Sequence, residues 1–196
     1  MPKTPADQRR QLAALLKAQS VTKGDFTLAS GRRSSYYIDA RKTTMSAAGL
    51  QLIGVLGLRL IREAGWEASA VGGLTLGADP VAYAIARASC DAPPTIDAFT
   101  VRKEPKGHGA RRRLEGCFER GDTVVVVEDV VTTGQSALNA IEAVHTAGGT
   151  VLGVLAVVDR KEGGRDAIAS AGYPLRSLVS LADLGLAPDT PSTTQD

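Results

Sequence analysis

The apolar residues of this chain follow two patterns, and the two patterns predict different secondary structure. In the first, they recur at helical spacing next to a capping or stop signal. The predicted helices begin at Thr4-Pro5 and at Ser46, cover about 79–88, and run from residue 136 to a Gly148-Gly149 stop. In the second, short runs are rich in β-branched residues, which favour strands. The predicted strands are 69–74, 96–101, a run that begins at residue 124, 151–160 and 175–181.

The order of these elements predicts an α/β fold. From residue 124 to residue 160, strand, helix and strand follow one another, the βαβ arrangement of a mostly parallel sheet with helices on both faces. A length of 196 residues with 43% hydrophobic residues suits one domain with a full core. We place that domain at residues 1–187 and expect the polar tail, 188–196, to be frayed.

Composition argues against several classes of protein. No apolar run approaches the roughly 20 residues that span a bilayer, and the N-terminus has no apolar signal segment, so we expect a cytoplasmic protein without a membrane partner. Cys90 and Cys117 lie outside any metal-binding or disulfide pattern. The net charge is +2, but residues 102–120 carry seven Lys and Arg against three Glu. Only Phe118 is interleaved with them, so base stacking is poorly supported and we expect no nucleic-acid partner.

Residues 102–116 form the longest stretch without a helical or strand pattern between two predicted strands. They contain one proline and three glycines, and we predict a loop. Loops above about 12 residues in a compact domain are usually functional or disordered. This loop is therefore a candidate part of a binding or catalytic site.

The stretch VVVVEDVVTTGQSA, which begins at residue 124, contains candidate ligand-binding residues. Four valines suit a strand buried on both faces, and they are followed by Glu128, Asp129 and a small polar turn at 132–136. In a parallel sheet, ligands bind at the carboxyl ends of the strands, and the N–H groups that open the next helix favour an anion such as phosphate. The turn has no lysine, so a nucleoside-triphosphate P-loop is not indicated.

The two carboxylates have to bind something other than the phosphate. Like charges about 4 Å apart repel by about 4 kcal/mol at an effective dielectric of about 20, whereas carboxylates accept hydrogen bonds from sugar hydroxyls and hold hydrated Mg²⁺. The stretch therefore predicts a site for a sugar that carries a phosphate. An acidic strand end followed by a capped helix, with no ligand at all, is the alternative that spacing alone leaves open.

This stretch resembles the phosphoribosyl pyrophosphate (PRPP) signature of the type I phosphoribosyltransferases: an apolar strand, two acids, two apolar residues and a Thr/Gly/Ser phosphate loop. Residues 26–41 and 101–109 resemble the N-terminal segment and the mobile catalytic loop of the orotate phosphoribosyltransferase family. With 72–82 and 157–164, the resemblance covers nearly the whole chain. It implies a type I phosphoribosyltransferase fold with a small hood formed by N-terminal elements. Residues 1–45 would form the hood and dimer region, and residues 102–116 the mobile catalytic loop.

The resemblance also implies roles for individual residues. It assigns catalysis to Arg102, Lys103, Lys106, His108 and Asp129. It assigns PRPP binding to Glu128, Asp129, Val130, Val131, Thr132, Thr133, Gly134, Gln135 and Ser136, with the pyrophosphate on Thr75, Leu76 and Gly77. It assigns orotate binding to Thr132, Arg160 and the backbone at Tyr37 and Ile38. Mg²⁺ would be held through PRPP and water, with Asp129 as a candidate ligand.

The reaction implied by the resemblance is transfer of the 5-phosphoribosyl group from PRPP to orotate, giving orotidine 5′-monophosphate and pyrophosphate in de novo pyrimidine (UMP) biosynthesis. Charge develops on the leaving pyrophosphate while the ribose becomes oxocarbenium-like, as in glycoside cleavage. Mg²⁺ and the basic loop would stabilise the leaving group, and no general base is assigned. In this family the loop closes over the neighbouring subunit's site, so a homodimer with shared active sites is implied and Lys103 is a candidate to act in trans.

Two positions depart from the family pattern. Many bacterial relatives carry lysines where this chain has Ala29 and Gly77, so lysine contacts from those positions are not carried over. Either arginines such as Arg32, Arg33 or Arg41 compensate for the missing lysines, or affinity rests more heavily on the loop and Mg²⁺.

Other interpretations stay open. One is a phosphoribosyltransferase for a purine or another pyrimidine, against which residues 26–32 and 102–109 argue. Another is a sugar-phosphate sensor that binds nucleic acid through its basic stretch, although the sequence shows no recognition helix or added domain. Tyr36 and Tyr37 suit a packing role as well as a binding one. Arg111, Arg112 and Arg113 suit either a solvated continuation of the loop or a positive field that attracts a polyanionic substrate. We expect His145 on a helix surface and Trp66 in a structural role.

Overall fold

The strands of this protein form two sheets, a main sheet of six strands and a small sheet of two. The computed structural model describes residues 4–27, 33–104 and 113–188. The elements in chain order are α1 (Pro5–Gln19), β1 (Val21–Thr27), β2 (Arg33–Ile38), α2 (Arg41–Thr44), α3 (Ala47–Glu63), β3 (Ala70–Leu74), α4 (Ala78–Cys90), β4 (Asp97–Val101), β5 (Leu114–Gly116), β6 (Thr123–Val131), α5 (Gln135–Thr146), β7 (Thr150–Asp159), α6 (Gly164–Ser170), β8 (Leu175–Ser180) and a 3₁₀ turn (Ala182–Leu184).

The main sheet has the strand order β5-β4-β3-β6-β7-β8, and every neighbouring pair is parallel except β4 and β5. The chain adds β4 on one side of β3 and β6 on the other, so the direction of winding reverses between β3 and β6. A reversal of this kind opens a crevice at the carboxyl ends of the two strands, where open α/β sheets bind their ligands. The turns after β3 and β6 are therefore the parts of the fold that position a site.

Both faces of the main sheet are buried, because the valines of β6 alternate between two cores. Val125 and Val127 belong to a core with α1, α3 and α4, and Val124 and Val126 belong to a core with α5 and α6. All four side chains are fully buried. The expected mostly parallel sheet with helices on both faces is confirmed.

The two predicted helix starts are confirmed by their capping contacts. At α1, the Thr4 hydroxyl accepts a hydrogen bond from Asp7 N, and the Asp7 carboxylate accepts one from Thr4 N, both at 3.2 Å. At α3, the Ser46 hydroxyl accepts a hydrogen bond from Gly49 N at 3.1 Å. These contacts satisfy N–H groups that have no partner inside the helix.

The small sheet is an antiparallel hairpin of β1 and β2. Along β2, Ser34, Tyr36 and Ile38 are buried, and the residues between them are exposed. Tyr36 and Ile38 join the core that includes α1 and α3, so the hairpin sits over that part of the molecule as a small N-terminal hood. The hood is confirmed. Its strands were not predicted, because nearly every residue of β1 is exposed and the strand carries no apolar alternation.

Two parts of the main sheet differ from the sequence prediction. Glu128 and Asp129 do not end their strand, because β6 continues to Val131. Residues 114–116, predicted as part of a loop, form the antiparallel edge strand β5. The loop prediction is wrong there because a three-residue edge strand shows no periodicity. Residues 105–112 of that loop and 189–196 of the predicted tail lie outside the described residues.

The helices bear on one further prediction. None of those in the described part of the chain combines the length and the apolar composition that crossing a membrane requires.

Candidate active site

An open cleft of about 310 Å³ lies where the winding of the main sheet reverses. Four separate parts of the chain line it: the end of β2 with the start of α2, the turn after β3, the residues after β4, and the end of β6 with the start of α5. The lining residues are 37–41, 74–77, Lys103, 128–130 and Ser136. Residues predicted to bind ribose and pyrophosphate and one residue of the predicted catalytic loop thus meet in one cleft.

The two acids of β6 have different surroundings. Glu128 is only 7% exposed, and its Oε1 makes no hydrogen bond to any described residue. Burial, and in second place the charge of Asp129, raise the pKa of Glu128 to about 8. Burial also raises the pKa of Asp129, although a hydrogen bond from Val130 N at 2.9 Å and the charge of Arg41 act in the opposite direction. A buried carboxyl group without a partner is unfavourable, and hydroxyl donors of a ligand would relieve it.

The predicted phosphate loop is a tight turn between β6 and α5. Gly134 has a φ of 82°, a left-handed conformation that favours glycine, and α5 begins at the next residue. The turn lines a small hollow together with Glu128. N–H groups that open a helix are suited to an anion, so the predicted phosphate-binding residues lie together beside the acids.

A second turn, between β7 and α6, holds the phosphate loop in place. The N–H of Gly164 donates to the carbonyl oxygen of Thr132 at 2.8 Å, and the N–H of Arg160 donates to that of Val131 at 3.0 Å. A Cβ on Gly164 would lie 2.5 Å from the carbonyl oxygen of Thr132, so the two backbones are in contact. The sequence analysis gave Gly164 no role. Its signal was the glycine pair at 163–164 just beyond a predicted strand.

The turn at 75–77, predicted to contact pyrophosphate, is held by a carboxylate that sequence analysis missed. Asp79 accepts hydrogen bonds from the Thr75 hydroxyl at 2.7 Å and from the Thr100 hydroxyl at 2.8 Å. The N–H of Thr75 also donates to the carbonyl oxygen of Val101 at 2.8 Å. The turn is therefore tied to β4, the strand that leads to the predicted catalytic loop. Asp79 could not be recognised from the sequence, because acidic residues are common in the first turn of a helix, where they interact favourably with the helix dipole.

Gly77 lies against the carboxylate of Asp129. A Cβ at position 77 would stand 2.6 Å from Oδ1 of Asp129, inside van der Waals contact. Asp129 is held in this position by its hydrogen bond from Val130 N. Any side chain at position 77 would therefore require the carboxylate of Asp129 to shift. The other departure, Ala29, lies outside the described residues.

Arg160, predicted to bind the carboxylate of orotate, is buried beside the hairpin. It is 3% exposed, and its guanidinium carbon lies 4.8 Å from the centre of the Tyr36 ring. Its Nη2 donates to the Ser34 hydroxyl at 3.4 Å, and its Nε lies 2.7 Å from Oε1 of Glu162 in an ion pair. Ser34 and Glu162 were missed, since a serine and a glutamate at these positions carry no distinctive spacing.

The two neighbouring tyrosines of β2 differ in exposure. Tyr36 is buried under Arg160, whereas Tyr37 is 42% exposed and its ring centre lies 5.8 Å from that of Phe26. Ile38 is buried, and both Tyr37 and Ile38 line the cleft. The packing interpretation therefore holds for Tyr36, and Tyr37 is accessible to a ligand.

Two of the residues predicted to act from the catalytic loop are described. Lys103 lines the cleft. Arg102 follows β4, and its Nη1 lies 3.4 Å from Oε1 of Glu115. The residues of the sequence analysis that lie outside the described part are Lys106, His108, Arg32, Arg111 and Arg112.

His145 and Trp66 lie outside the cleft, as expected. His145 is exposed on α5 and its Nε2 is hydrogen-bonded to the Tyr173 hydroxyl at 2.6 Å. The Trp66 ring packs so closely on Gly153 that a Cβ there would come within 2.4 Å of it. Both contacts are structural.

The residues around the cleft offer few ligands for a metal ion. Within 4–27, 33–104 and 113–188, no three His, Cys, Asp or Glu side chains are placed to hold one together. The half-buried Asp129 and the buried Glu128 both line the cleft. This donor set fits a divalent ion that takes most of its ligands from a bound diphosphate and from water.

Comparison with known proteins relates the chain to one family. Residues 47–171 match the family described as Phosphoribosyl transferase domain. The chain is 50% identical to the orotate phosphoribosyltransferase of Corynebacterium glutamicum, over 92% of this chain and 96% of that protein. It is 49% identical to that of Aquifex aeolicus, over 90% and 97%. The orotate phosphoribosyltransferase of Mycobacterium tuberculosis, solved in complex with PRPP, matches with a TM-score of 0.78 and 46% identity over 91% of this chain and 99% of that one.

Proposed function

Because the chain belongs to the orotate phosphoribosyltransferase family, we infer that it transfers the 5-phosphoribosyl group of PRPP to orotate, giving orotidine 5′-monophosphate and pyrophosphate in pyrimidine biosynthesis. It is a transferase that moves a pentosyl group. The observation that carries this conclusion is 50% identity over 92% of the chain, combined with the type I phosphoribosyltransferase fold. Neither a purine acceptor nor a nucleic-acid sensor is favoured by any feature of the described residues.

The direct test is orotate consumption, followed by ultraviolet absorbance in the presence of PRPP with and without Mg²⁺. Loss of orotate that depends on PRPP and Mg²⁺ is the expected result. A panel of other pyrimidines and purines in the same assay is the control for the acceptor. Turnover of a different base with no loss of orotate would contradict the assignment, and would leave the PRPP site in place.

We propose a division of the substrate among the described residues that line the cleft or lie beside it. The turn at 132–136 holds the 5-phosphate through its N–H groups, and Glu128 and Asp129 accept hydrogen bonds from the ribose hydroxyls. The turn at 75–77 contacts the pyrophosphate. Arg160, Thr132 and the backbone of Tyr37 and Ile38 hold orotate, whose carboxylate suits an arginine partner.

Phosphoribosyltransferases that use PRPP generally use a divalent metal, and we propose Mg²⁺ for this chain. Asp129 is the candidate protein ligand, because its carboxylate lies in the cleft beside the turn at 75–77. When bound, the ion would supply positive charge to the leaving diphosphate. The protein's own contributions are the fixed N–H groups of the two turns and the cationic side chains of the cleft, which are in place before charge develops.

Lys103 is the described residue best placed to stabilise the leaving group, because it lines the cleft next to the turn at 75–77. We expect Lys103→Ala to lower kcat by at least about tenfold, equivalent to about 1.4 kcal/mol of transition-state stabilisation, with little change in thermal stability. Lys23→Ala, an exposed lysine of β1 outside this cleft, is the matched control. Wild-type rates for Lys103→Ala would remove this residue from the mechanism.

We also propose that residues 1–187 form one domain, that 1–45 form the hood and dimer region, and that 102–116 form the catalytic loop of a homodimer with shared sites. The catalytic assignment of Arg102, Lys106 and His108 belongs to this proposal. Lys103 lines the cleft of its own chain, so action in trans needs a direct test. The cytoplasmic location and the absence of nucleic-acid and membrane partners stay predictions.

Mixing two inactive variants tests the shared site. If Lys103 acts on the partner's substrate, a mixed dimer of Lys103→Ala and Asp129→Asn contains one site with both native residues. We therefore expect partial recovery of activity when the two variants exchange subunits. Exchange is verified separately with differently tagged chains. No recovery after proven exchange would contradict action in trans.

A further inference from the structure

A second cation lines the cleft besides Lys103, and it is one of the arginines considered above as substitutes for the missing lysines. Arg41 is the first residue of α2 and, with Lys103, is one of two cationic side chains that line the cleft among the described residues. The same cleft is lined by three acidic residues, Asp39, Glu128 and Asp129. A polyanionic substrate is repelled by those that are ionised, so its binding depends on the cations that the cleft provides.

One hydrogen bond, made by Nε, orients the guanidinium of Arg41. Its Nε donates to Oδ1 of Asp39 at 2.9 Å, and the Asp39 side chain is itself only 23% exposed. The two terminal amino groups make no hydrogen bond within the described part of the chain. The side chain is 48% exposed and lines the cleft. An arginine held at Nε, with both terminal amino groups unused by the described residues, suits bidentate contact with a phosphate.

Arg41 lines the same cleft as the turn at 75–77. Gly77 touches the carboxylate of Asp129, as described above. Asp129 lines the same cleft as Arg41 and this turn. The carboxylate of Asp129 lies next to Gly77, so the cations that the described lining offers to this part of the cleft are Lys103 and Arg41.

The neighbouring arginine of β2 does not share this position. Arg33 is 77% exposed, lies 3.7 Å from the carboxylate of Asp25, and lines a different cleft with Lys23 and residues 185–188. It therefore serves as a matched control, an exposed arginine from the same part of the chain with an acidic partner of its own.

We propose that Arg41 binds the diphosphate of PRPP through its two terminal amino groups, and that Asp39 is a positioning residue that orients the guanidinium for this contact. The proposal rests on the proposed function, because it names a residue for the diphosphate part of the same site. Arg41 then acts on the group whose negative charge increases in the transition state, opposite the turn at 75–77.

The test compares Arg41→Met, Arg41→Lys and Arg33→Met in the full-length protein. Binding of inorganic pyrophosphate with Mg²⁺ is measured by calorimetry, and KM is measured for PRPP and for orotate. We expect Arg41→Met to raise both the Kd for pyrophosphate and the KM for PRPP by about tenfold, with the KM for orotate changed less than about twofold. Arg41→Lys should recover only part of the loss, because lysine lacks the planar fork. Arg33→Met should match the wild type.

Asp39 is tested by a double-mutant cycle. If Asp39 acts only by orienting Arg41, Asp39→Asn should raise the KM for PRPP and have no further effect in the Arg41→Met background. Additive effects would contradict the positioning role.

The outcomes separate this proposal from the proposed function. An unchanged Kd for pyrophosphate in Arg41→Met, with a wild-type enzyme that consumes orotate, would overturn the role of Arg41 alone. Full recovery with Arg41→Lys would also overturn it, since simple neutralisation of Asp129 would then suffice. A wild-type protein that binds pyrophosphate but turns over no orotate would overturn the proposed function. In that case the pyrophosphate Kd of Arg41→Met would still test the contact made by Arg41.

Discussion

Replacing Glu128 by glutamine is expected to stabilise the ligand-free protein at neutral pH and to slow the transfer reaction by at least about tenfold. The two effects have one cause, the burial of an acid that the ligand-free fold does not satisfy. Burial, followed by the charge of Asp129, raises the pKa of Glu128 from 4.5 to about 8. The folded protein therefore holds a proton on Glu128 over a pH range in which the unfolded chain has lost it.

The sign of the pH dependence follows from this raised pKa. Below about pH 4.5 the carboxyl is protonated in both states and does not affect the free energy of unfolding. Between pH 4.5 and about 8 the unfolded chain releases the proton and the folded one retains it, so rising pH lowers stability. Each pKa unit corresponds to about 1.4 kcal/mol, so the loss amounts to several kcal/mol by the end of this window.

Urea unfolding of the wild type and of Glu128→Gln at several pH values measures this effect. Glutamine cannot ionise, so the stability difference in favour of the variant should widen from about pH 4.5 to about pH 8. Glu142→Gln, which changes an exposed glutamate of α5, is the control for altered surface charge. Parallel stability curves for wild type and Glu128→Gln would show that the carboxyl is not held neutral by its surroundings.

The activity of the same variant tests why the acid is kept. A carboxylate accepts hydrogen bonds from two ribose hydroxyls, whereas the amide nitrogen of glutamine can only donate. Glu128→Gln should therefore lose affinity for PRPP and rate together. A variant that is both more stable and fully active would mean that Glu128 does not contact the sugar. A stabilised but slow enzyme would place this residue among the sites where function is kept at a loss of stability.

Periodicity predicted the elements with long apolar patterns and missed the short or exposed ones. Helices α1 and α3 have capping residues and apolar faces, and β6 has four consecutive buried valines, so each was visible in the sequence. By contrast, β1 is exposed at most of its positions, and β5 has three residues. Helix α6 has seven residues and begins with a glycine, a weak helix former.

The site divides in the same way, between residues that belong to a linear motif and residues that the fold brings to it. Glu128, Asp129 and the turn at 132–136 are contiguous, so one stretch of sequence was sufficient to indicate them. The sequence could not show that Asp79 and Arg41 lie at the site. Their hydrogen bonds with Thr75 and Asp39 matter only because the fold brings these residues to the cleft. A linear pattern indicates which groups bind the substrate, and the fold determines which groups hold them.

Gly164 is the residue of this second kind with the largest expected effect. We expect Gly164→Ala to raise the KM for PRPP by about tenfold or more and to lower the free energy of unfolding by about 1–3 kcal/mol, the usual range for overpacking. The new Cβ would lie 2.5 Å from the carbonyl oxygen of Thr132 and 2.8 Å from the nitrogen of Gly134. Both atoms belong to backbone, so the phosphate loop itself has to move.

Gly172→Ala is the matched control for loss of stability alone. Gly172 has a φ of 91°, so alanine is strained there, but its Cβ would meet nothing within 4 Å. This variant should be destabilised with no change in KM for PRPP. Steady-state kinetics and thermal unfolding of both variants separate the two effects.

The pattern of KM changes distinguishes Gly164 from Arg41. The turn that contains Gly164 also carries Arg160, whose N–H donates to Val131 at the start of the phosphate loop. Displacing the loop should therefore also disturb Arg160, the residue proposed to bind orotate, and Gly164→Ala should raise the KM for orotate together with that for PRPP. A rise confined to PRPP would mean that the two turns move independently. An unchanged KM for both substrates would mean that the loop binds phosphate in a conformation other than the one that Gly164 supports.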